Sequence, residues 1–248
     1  MKAVIVGGVA GGATAAARIR RLDEHAEIVV FERSGFISYA NCGLPYYIGG
    51  IIEDENDLTL QTPESFWKRF RVKMNVHHEV IAIHPEEKTV TVKNLESGAV
   101  FTENYDKLIL SPGAKPVTPG LDGIESKKIF TLRTVEDTLK IKEYLNAFRP
   151  ESAVVVGGGF IGIEIAENLR GLGVHVTLAE AAEQLMAPFD RDMAAFIHAE
   201  LRKNGINLLL GRTVEGFAET DDGIDVRLTD VTLHADMAVL AIGVAPEA

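Results

Sequence analysis

Residues 3–12 read Ala-Val-Ile-Val-Gly-Gly-Val-Ala-Gly-Gly, and residues 153–162 read Ala-Val-Val-Val-Gly-Gly-Gly-Phe-Ile-Gly. Each stretch is a short apolar run, typical of a buried parallel strand, that passes directly into glycines. A helical segment rich in alanine or isoleucine follows each run, and then a second apolar strand that ends in an acid, Glu32 or Glu180. Because this strand–helix–strand unit occurs twice, the sequence predicts a doubly wound α/β fold.

Composition limits the classes of function. The chain has 248 residues, enough for two domains of ordinary size, and a formal net charge of −11. That charge argues against nucleic acid and anionic membranes as partners, so any anionic ligand needs a local basic patch. No apolar run reaches the ~20 residues of a membrane span. The single cysteine permits no internal disulfide, which favours the cytoplasm, and the scattered histidines predict no metal site.

The second repeat follows the G-x-G-x-x-G spacing, with Gly157, Gly159 and Gly162 between a strand and a helix. The first glycine permits a tight turn, the second lets backbone approach a pyrophosphate, and the third permits close packing. Glu180 follows 18 residues after Gly162, where a carboxylate can accept both ribose hydroxyls of a dinucleotide. An acid repels a 2′-phosphate, and Ala181-Ala182 supplies no arginine, so NADH is favoured over NADPH. A glycine turn in a domain without a nucleotide is the alternative.

The first repeat departs from that spacing. Gly7 and Gly12 occupy the outer positions, but Val9 replaces the middle glycine. Gly8 and Gly11 are expected to open the neighbouring backbone instead. The acid at the end of its second strand again lies at the ribose distance, so a second dinucleotide site is expected.

The only cysteine, Cys42, lies in the stretch Ser-Tyr-Ala-Asn-Cys-Gly-Leu-Pro-Tyr-Tyr at 38–47. Asn41 suits a helix N-cap and Pro45 is tolerated only in a first turn, so we expect a helix to begin beside the cysteine. That position favours the thiolate, the reactive form of cysteine. A buried, inert cysteine is the alternative.

The rest of the chain carries several local signals. They are a helix at 63–70 capped by Thr62, a hairpin of 88–93 with 99–103, a helix over 134–148 with a capping box of Thr134 and Asp137, and a helix near 190–203. Pro112, Pro116, Pro119 and Gly120 mark a crossing between two domains.

A resemblance to a known family rests on the glycine loop at 7–12 and on the motif Ser38-x-x-Asn41-Cys42-Gly-Leu-Pro-Tyr. Both resemble the single-cysteine class of FAD-dependent pyridine nucleotide-disulfide oxidoreductases, and within it the branch that acts on coenzyme A disulfide. Further matches lie at 105–114 (Tyr-Asp-x-Leu-Ile-x-Ser-Pro-Gly-Ala) and at 241–246 (Ala-Ile-Gly-x-x-Pro). The resemblance covers essentially the whole chain.

The resemblance implies two Rossmann-like, three-layer domains, with the NAD domain inserted into the FAD domain. Residues 1–113 would be the N-terminal part of the FAD-binding domain, and residues 114–248 would be the NAD(P)H-binding domain. The C-terminal part of the FAD domain and a dimerisation domain would be absent. The full-length enzyme would be a homodimer, and this chain alone would be an incomplete enzyme.

The resemblance also implies which residues bind the cofactors. The FAD site would contain Gly7, Gly8, Val9, Ala10, Gly11, Gly12, Glu32, Arg33, Asn41, Ser111, Pro112 and Gly113. The NADH site would contain Gly157, Gly159, Phe160, Ile161, Gly162, Glu164, Glu180 and Gly243. Phe160 would gate the nicotinamide pocket, and Glu164 would lie near the contact between flavin and nicotinamide.

Thr14, Arg18 and Arg21 follow one another at i, i+4 and i+7, so they lie within about 60° on one face of the first helix. Two guanidiniums on one stripe suit phosphate, although a solvated helix face is the alternative. The resemblance implies that these residues contact coenzyme A.

The same resemblance adds Ser38 and Asn41 to the coenzyme A site. A basic residue of the family falls on or beside Phe70, so Arg69 and Arg71 are both candidates.

The resulting hypothesis is that electrons pass from NADH through FAD to Cys42, which reduces coenzyme A disulfide or a related persulfide or polysulfide. One alternative is an oxygen-reducing NADH oxidase. Related oxidases and peroxidases usually carry a histidine where this chain has Ala10, which weakens a peroxide-reducing role. The other alternative is a nucleotide-binding fragment without turnover.

Overall fold

The two repeats form equivalent strand–helix–strand units in the computed structural model, which describes residues 1–247. The helices of this range are α1 (Ala10–Leu22), α2 (Leu44–Ile48), α3 (Pro63–Phe70), α4 (Val135–Phe148), α5 (Phe160–Gly171) and α6 (Arg191–Lys203), with 3₁₀ turns at Asn41–Gly43 and Glu55–Asp57. The strands are β1 (Lys2–Val6), β2 (Glu27–Phe31), β3 (Lys73–Asn75), β4 (His78–His84), β5 (Thr89–Asn94), β6 (Val100–Asn104), β7 (Lys107–Leu110), β8 (Ala114–Pro116), β9 (Ile129–Phe130), β10 (Ser152–Val156), β11 (His175–Glu180), β12 (Asn207–Leu210), β13 (Val214–Glu219), β14 (Ile224–Leu228), β15 (Thr232–Ala235), β16 (Met237–Leu240) and β17 (Val244–Pro246).

The parallel sheets of the two repeats share the same order in four strands, and the second sheet has β9 as a fifth strand. The first has the strand order β3-β2-β1-β7, and the second has the order β12-β11-β10-β16-β9. In each sheet the first strand of the repeat is central, with its repeat partner on one side and a late returning strand on the other. Val4 pairs with Val29 and Leu108 in the first sheet. The predicted α/β class is therefore confirmed, with two Rossmann-like units.

Each unit also carries a three-stranded antiparallel sheet, inserted before the returning strand. The strand orders are β4-β5-β6 and β13-β14-β15. Because successive strand residues point to opposite faces, the central strands pack on both sides. Val4 contacts the layer that contains Val90, whereas Ile5 contacts the layer that contains Ala16 of α1. This arrangement gives the three layers that the resemblance implies.

Local signals elsewhere are confirmed as well. Helices α3 and α4 begin with capping boxes, in which the Thr62 and Thr134 hydroxyls each accept a hydrogen bond of 3.2 Å from the backbone N–H three residues later. Strands β5 and β6 form the predicted hairpin.

The chain separates into two compact units. The first contains residues 1–40, 55–113 and 246–247, and the second contains residues 41–54 and 114–245. Along the chain, the long segment of the first unit ends at Gly113 and the long segment of the second unit begins at Ala114. Residues 41–54 lie in the second unit, although the sequence-based division puts them in the first, because α2 packs against α4 and α5.

Residues 1–247 contain neither a membrane-spanning helix nor a cluster of metal ligands. No helix there has the length and apolar character needed to cross a membrane. No group of three or more histidine, cysteine, aspartate or glutamate side chains is arranged there to hold a metal ion.

Candidate functional site

The loop between β10 and α5 depends on two glycines. Gly157 has a φ of +111°, and a β-carbon there would lie 2.4 Å from the carbonyl oxygen of Ala241. A β-carbon at Gly162 would lie 1.8 Å from the carbonyl oxygen of Gly157. At Gly159 an added β-carbon would meet nothing within 4 Å. The first and third glycines are thus needed for the loop itself, whereas the second leaves its outer surface open for a ligand.

Glu180 closes this loop from the end of β11. Its Oε2 accepts a hydrogen bond from the Gly158 N–H at 2.6 Å, and its Oε1 accepts one from the Ala182 N–H at 2.7 Å. A carboxylate has about four acceptor sites, so capacity remains for two ribose hydroxyls. Gly157, Gly159, Glu180 and Gly243 all line one concavity of about 450 Å³, which we call the second-unit concavity.

The first repeat reproduces this geometry although Val9 replaces the middle glycine. Gly7 has a φ of +92°, and a β-carbon at Gly12 would lie 1.8 Å from the Gly7 carbonyl oxygen. Glu32 is only 8% exposed. Its Oε2 accepts from the Gly8 N–H at 2.7 Å, as the Glu180 carboxylate does from the Gly158 N–H. Val9 is the N-cap residue of α1 and has a φ of −97°, so this position does not need the left-handed conformation that favours glycine.

A second concavity of about 450 Å³ lies beside this loop, and we call it the first-unit concavity. Gly7, Glu32, Arg33 and Pro112 are among its lining residues. Arg33 forms a bidentate ion pair with Glu247 at its rim. The other predicted residues of this region support the loop, because Ser111 donates its N–H to the Val6 carbonyl at 2.8 Å and its own carbonyl abuts Gly7.

The N-termini of α1 and α5 differ from those of α3 and α4. Neither α1 nor α5 has a side-chain cap or an acidic residue in its first turn. Their first N–H groups and the positive end of the helix dipole are therefore available to an anion. Together with the glycine loops and the acids, these open helix ends fit a dinucleotide pyrophosphate in both units.

The remaining predicted residues of the second unit lie on α5 and beside it. Phe160 is 63% exposed and contacts Phe189 edge-on, with ring centroids 6.3 Å apart. Ile161 is half-buried. Burial raises the pKa of the Glu164 carboxyl above its ordinary value, and the Glu167 carboxylate adds to that effect.

Cys42 is exposed, so the buried alternative is wrong. It lies in the 3₁₀ turn Asn41–Gly43, directly before α2. Pro45 occupies the first turn of α2 as expected, but the N-cap residue is Gly43 and not Asn41. The Asn41 carboxamide is engaged elsewhere, since its Oδ1 accepts a hydrogen bond of 2.7 Å from Arg133 Nη1.

The predicted basic patch exists on the first unit. A concavity of about 440 Å³ between α1 and α3 is lined by Thr14, Arg21, Ser38 and Arg69, among others. We call it the α1–α3 concavity. It contains two arginines and no carboxylate among its lining residues, although the chain has a net charge of −11. It therefore supplies the local positive charge that the composition requires for an anionic ligand.

Two predicted arginines do not line this concavity. Arg18 is exposed on α1. Arg71 ends α3 with a φ of +52° and stacks over Trp67, with its guanidinium 5.7 Å from the ring. Of the two candidates near Phe70, Arg69 is thus the one that faces the concavity.

Sequence reasoning missed one arginine in the second-unit concavity. Arg212 lines it together with Glu180, and the Arg212 N–H donates to the Glu180 carbonyl at 2.9 Å. Its Nε forms an ion pair of 2.5 Å with Asp230. Ala181-Ala182 supplies no arginine, as the sequence shows, but β12 pairs with β11 and brings Arg212 to the same edge of the sheet as Glu180. No motif or spacing around Arg212 signals this contact, because it arises from the pairing of β12 with β11.

A histidine supports the second loop from α6. His198 Nε2 accepts a hydrogen bond of 3.0 Å from the Leu185 N–H. The Leu185 side chain in turn packs against Gly158, where an added β-carbon would lie 2.3 Å from Leu185 Cδ2. Burial lowers the pKa of His198 below its ordinary 6.5, and Arg202 adds to that effect.

This geometry predicts a pH-dependent stability. In the unfolded chain the pKa of His198 is near 6.5, and in the folded chain this pKa is lower. The folded state therefore has its full stability above pH 6.5 and loses stability as the pH falls through the lowered pKa of the folded state. We expect His198→Gln, whose carbonyl can still accept from Leu185, to lose less stability than the wild type between pH 7 and pH 5. Urea unfolding at both pH values measures this, and an equal loss in both proteins contradicts it.

The comparisons with known proteins agree with this geometry. The model of the pyridine nucleotide-disulphide oxidoreductase family matches residues 1–248, and the chain belongs to this family. The resemblance drawn from the glycine loop and the Cys42 motif is thereby confirmed.

One curated relative and two solved structures are similar to this chain over 99% of its length. Coenzyme A disulfide reductase from Staphylococcus aureus is 39% identical over 246 residues, which are 99% of this chain and 55% of the relative. The crystal structure of reduced Bacillus anthracis CoADR-RHD is 50% identical with a TM-score of 0.96, over 99% of this chain and 44% of that one. An NAD-dependent persulfide reductase from A. fulgidus is 35% identical with a TM-score of 0.94, over 99% of this chain and 46% of that one. The chain thus spans about half the length of the relatives it matches.

Proposed function

We propose that this chain is the core of an FAD-dependent oxidoreductase, which passes electrons from NADH to Cys42 and so reduces coenzyme A disulfide or a coenzyme A persulfide. The observation that carries this proposal is the pair of equivalent, acid-anchored glycine loops in a chain that also exposes its only cysteine. The names of the relatives supply the substrate class.

Each loop suits one cofactor. The first loop, with Glu32 and the first-unit concavity, would hold the adenosine pyrophosphate of FAD. The second loop, with Glu180 and the second-unit concavity, would hold that of NADH, with the exposed Phe160 beside the nicotinamide. A bound flavin would supply two-electron transfer between NADH and a disulfide.

The protein's own chemistry is thiol–disulfide exchange at Cys42. Its thiolate attacks one sulfur of the substrate disulfide, a bond forms between Sγ and that sulfur, and the second half leaves as a thiolate. Two electrons from NADH then cleave the mixed disulfide, which frees a second thiol and restores Cys42. The exposed position of Cys42 allows access by a bulky thiol such as coenzyme A.

The α1–α3 concavity would bind the phosphates of coenzyme A. Guanidiniums recognise phosphate through several parallel hydrogen bonds, and Arg21 and Arg69 both line this concavity. Ser38 lines it as well, four residues before Cys42 in the chain.

We expect Arg21→Ala and Arg69→Ala each to raise KM for coenzyme A disulfide by about tenfold, because each removes one charged phosphate contact. KM for NADH should not change, and the effect should shrink at high salt. Lys68→Ala, which removes an exposed positive charge from the same helix as Arg69, is the matched control. Equal KM values for Arg69→Ala and Lys68→Ala contradict the assignment.

Glu180 and Arg212 make cofactor choice testable. We expect Glu180→Gln to shift the NADPH:NADH preference by about tenfold or more towards NADPH, because it removes the repulsion of a 2′-phosphate and leaves Arg212 in place. The double variant with Arg212→Ala should lose the gain for NADPH. Initial rates with each cofactor measure this, and an unchanged preference in Glu180→Gln sinks the assignment.

The proposal as a whole is tested on the purified natural full-length protein. A flavin spectrum and NADH-dependent release of thiol from coenzyme A disulfide are the expected results. Parallel assays with coenzyme A persulfide and with oxygen separate the acceptors. A colourless protein, or oxygen as the only acceptor, would overturn the proposal.

A further inference from the structure

The segment that carries Cys42 is hydrogen-bonded at both ends to the rest of the second unit. Its partners are Arg133, which precedes the Thr134 cap of α4, and Lys142 on α4. At the cysteine end, Arg133 Nη1 donates a hydrogen bond of 2.7 Å to Asn41 Oδ1. At the other end, Lys142 Nζ donates to the carbonyls of Tyr47 and Ile48, both at 3.0 Å. Arg133 and Lys142 belong to one continuous segment of the chain. The 3₁₀ turn and α2 are therefore held at both ends by the same part of the second unit.

Arg133 is itself held in place. Its backbone N–H donates to Asp137 Oδ2 at 3.1 Å, and the Thr134 N–H donates to the same oxygen at 3.0 Å. The capping box of α4 thus fixes the backbone from which the half-buried guanidinium extends. A planar guanidinium on a fixed backbone presents its donors in a defined direction, which suits it to orient a carboxamide.

The Cys42 segment needs such support because it cannot order itself. Helix α2 has five residues, far below the length at which an isolated helix is stable in water. Gly49, the C-cap residue of α2, packs directly on α5, because a β-carbon added there would lie 2.1 Å from Asn168 Oδ1. The cysteine segment is thus seated on the same helix that begins at the second glycine loop.

We propose that Arg133 is a positioning residue, which holds Asn41 and thereby fixes the adjacent Cys42 on the unit that carries the second dinucleotide loop. This inference rests on the proposed function, in which Cys42 is the reacting group. Loss of the Arg133 side chain would free the Asn41–Gly43 turn, while the residues of the second glycine loop and Glu180 would keep their contacts. We expect the rate of the thiol–disulfide exchange step to fall, because misplacement of the reacting sulfur atom lowers such a rate by about 10- to 100-fold.

The test is a double-mutant cycle in the natural full-length protein, with Arg133→Ala, Asn41→Ala and the double variant, together with Arg133→Lys. The exposed Lys140 on α4 provides the matched control, Lys140→Ala. The readouts are kcat with coenzyme A disulfide, KM for NADH, and the pH profile of the alkylation of Cys42 by iodoacetamide. Thermal unfolding identifies any variant that has lost its fold.

We expect Arg133→Ala to lower kcat by about 10- to 100-fold and to change the alkylation profile, with KM for NADH within about twofold of the wild type. Arg133→Lys should restore part of the loss, and Lys140→Ala should behave as the wild type. In the double variant the two effects should not multiply, since both residues act through one contact.

A folded Arg133→Ala protein with wild-type kcat and alkylation would overturn the inference, as would effects that multiply fully with those of Asn41→Ala. Misfolding of Arg133→Ala leaves the decision to Arg133→Lys: wild-type kcat and alkylation in that variant also overturn it. If the proposed function is wrong, the Cys42→Ser variant will still release thiol. That outcome differs from every outcome that would overturn the role of Arg133.

Discussion

Replacement of Cys42 by serine should lower the rate of disulfide reduction by at least about a thousandfold. A serine hydroxyl is not ionised near neutral pH and forms no bond to sulfur that NADH could cleave, so the exchange step has no substitute nucleophile. Because Cys42 is the only cysteine, no other thiol of the chain can take its place. NADH binding should be unchanged, since Cys42 does not line the second-unit concavity.

Thiol release from coenzyme A disulfide measures this effect, and fluorescence titration with NADH checks binding. Wild-type protein alkylated at Cys42 is the matched control, because it blocks the same sulfur without a change of sequence. Turnover in Cys42→Ser above one per cent of the wild type would remove Cys42 from the mechanism.

The second large effect is expected at Gly162. Gly162→Ala places a methyl group 1.8 Å from the Gly157 carbonyl oxygen, an approach that no rotamer change relieves. Backbone displacement of this kind typically costs about 1–3 kcal/mol, and we expect the upper part of that range in the free energy of unfolding. The helix would also move away from the loop, so NADH affinity should fall as well.

Gly159→Ala is the matched control, because it adds the same methyl group in the same loop. Gly159 has a φ of −82°, which alanine adopts freely, and an added β-carbon meets nothing within 4 Å. The free energy of unfolding should therefore stay within about 0.5 kcal/mol of the wild type, or rise slightly. NADH affinity should still fall by about tenfold, since the methyl group occupies the surface that a pyrophosphate approaches. Urea unfolding and NADH titration of both variants measure these effects, and equal destabilisation by both substitutions contradicts the account of the loop.

Much of the fold could be predicted from the sequence because its signals are local. The apolar runs that begin at Ala3 and Ala153 are continuous, which is typical of strands buried on both faces. The caps at Thr62 and Thr134 depend on residues within one helical turn. Glu32 directly follows β2 and Glu180 ends β11. Both strands pair in register with the first strands of the repeats, so the distance of each acid from its glycine loop follows from the fold.

The features that sequence reasoning missed depend on residues distant in the chain. Asn41 suits a cap by residue type, but its carboxamide binds Arg133, which lies 92 positions away. Arg212 reaches Glu180 only through the pairing of β12 with β11. The choice between Arg69 and Arg71 depends on the left-handed end of α3, which turns Arg71 towards Trp67. Pattern and spacing carry no information about such contacts.

The central claim is that Cys42 exchanges electrons with NADH, and an anaerobic titration tests it most directly. The holoprotein is first loaded with coenzyme A as a mixed disulfide on Cys42 and then titrated with NADH, while flavin absorbance and released thiol are followed. We predict that about one equivalent of NADH releases about one thiol before the flavin bleaches with a further equivalent, whereas Cys42→Ser bleaches with the first. Identical titrations of the two proteins, with no thiol released from the wild type, would contradict the account.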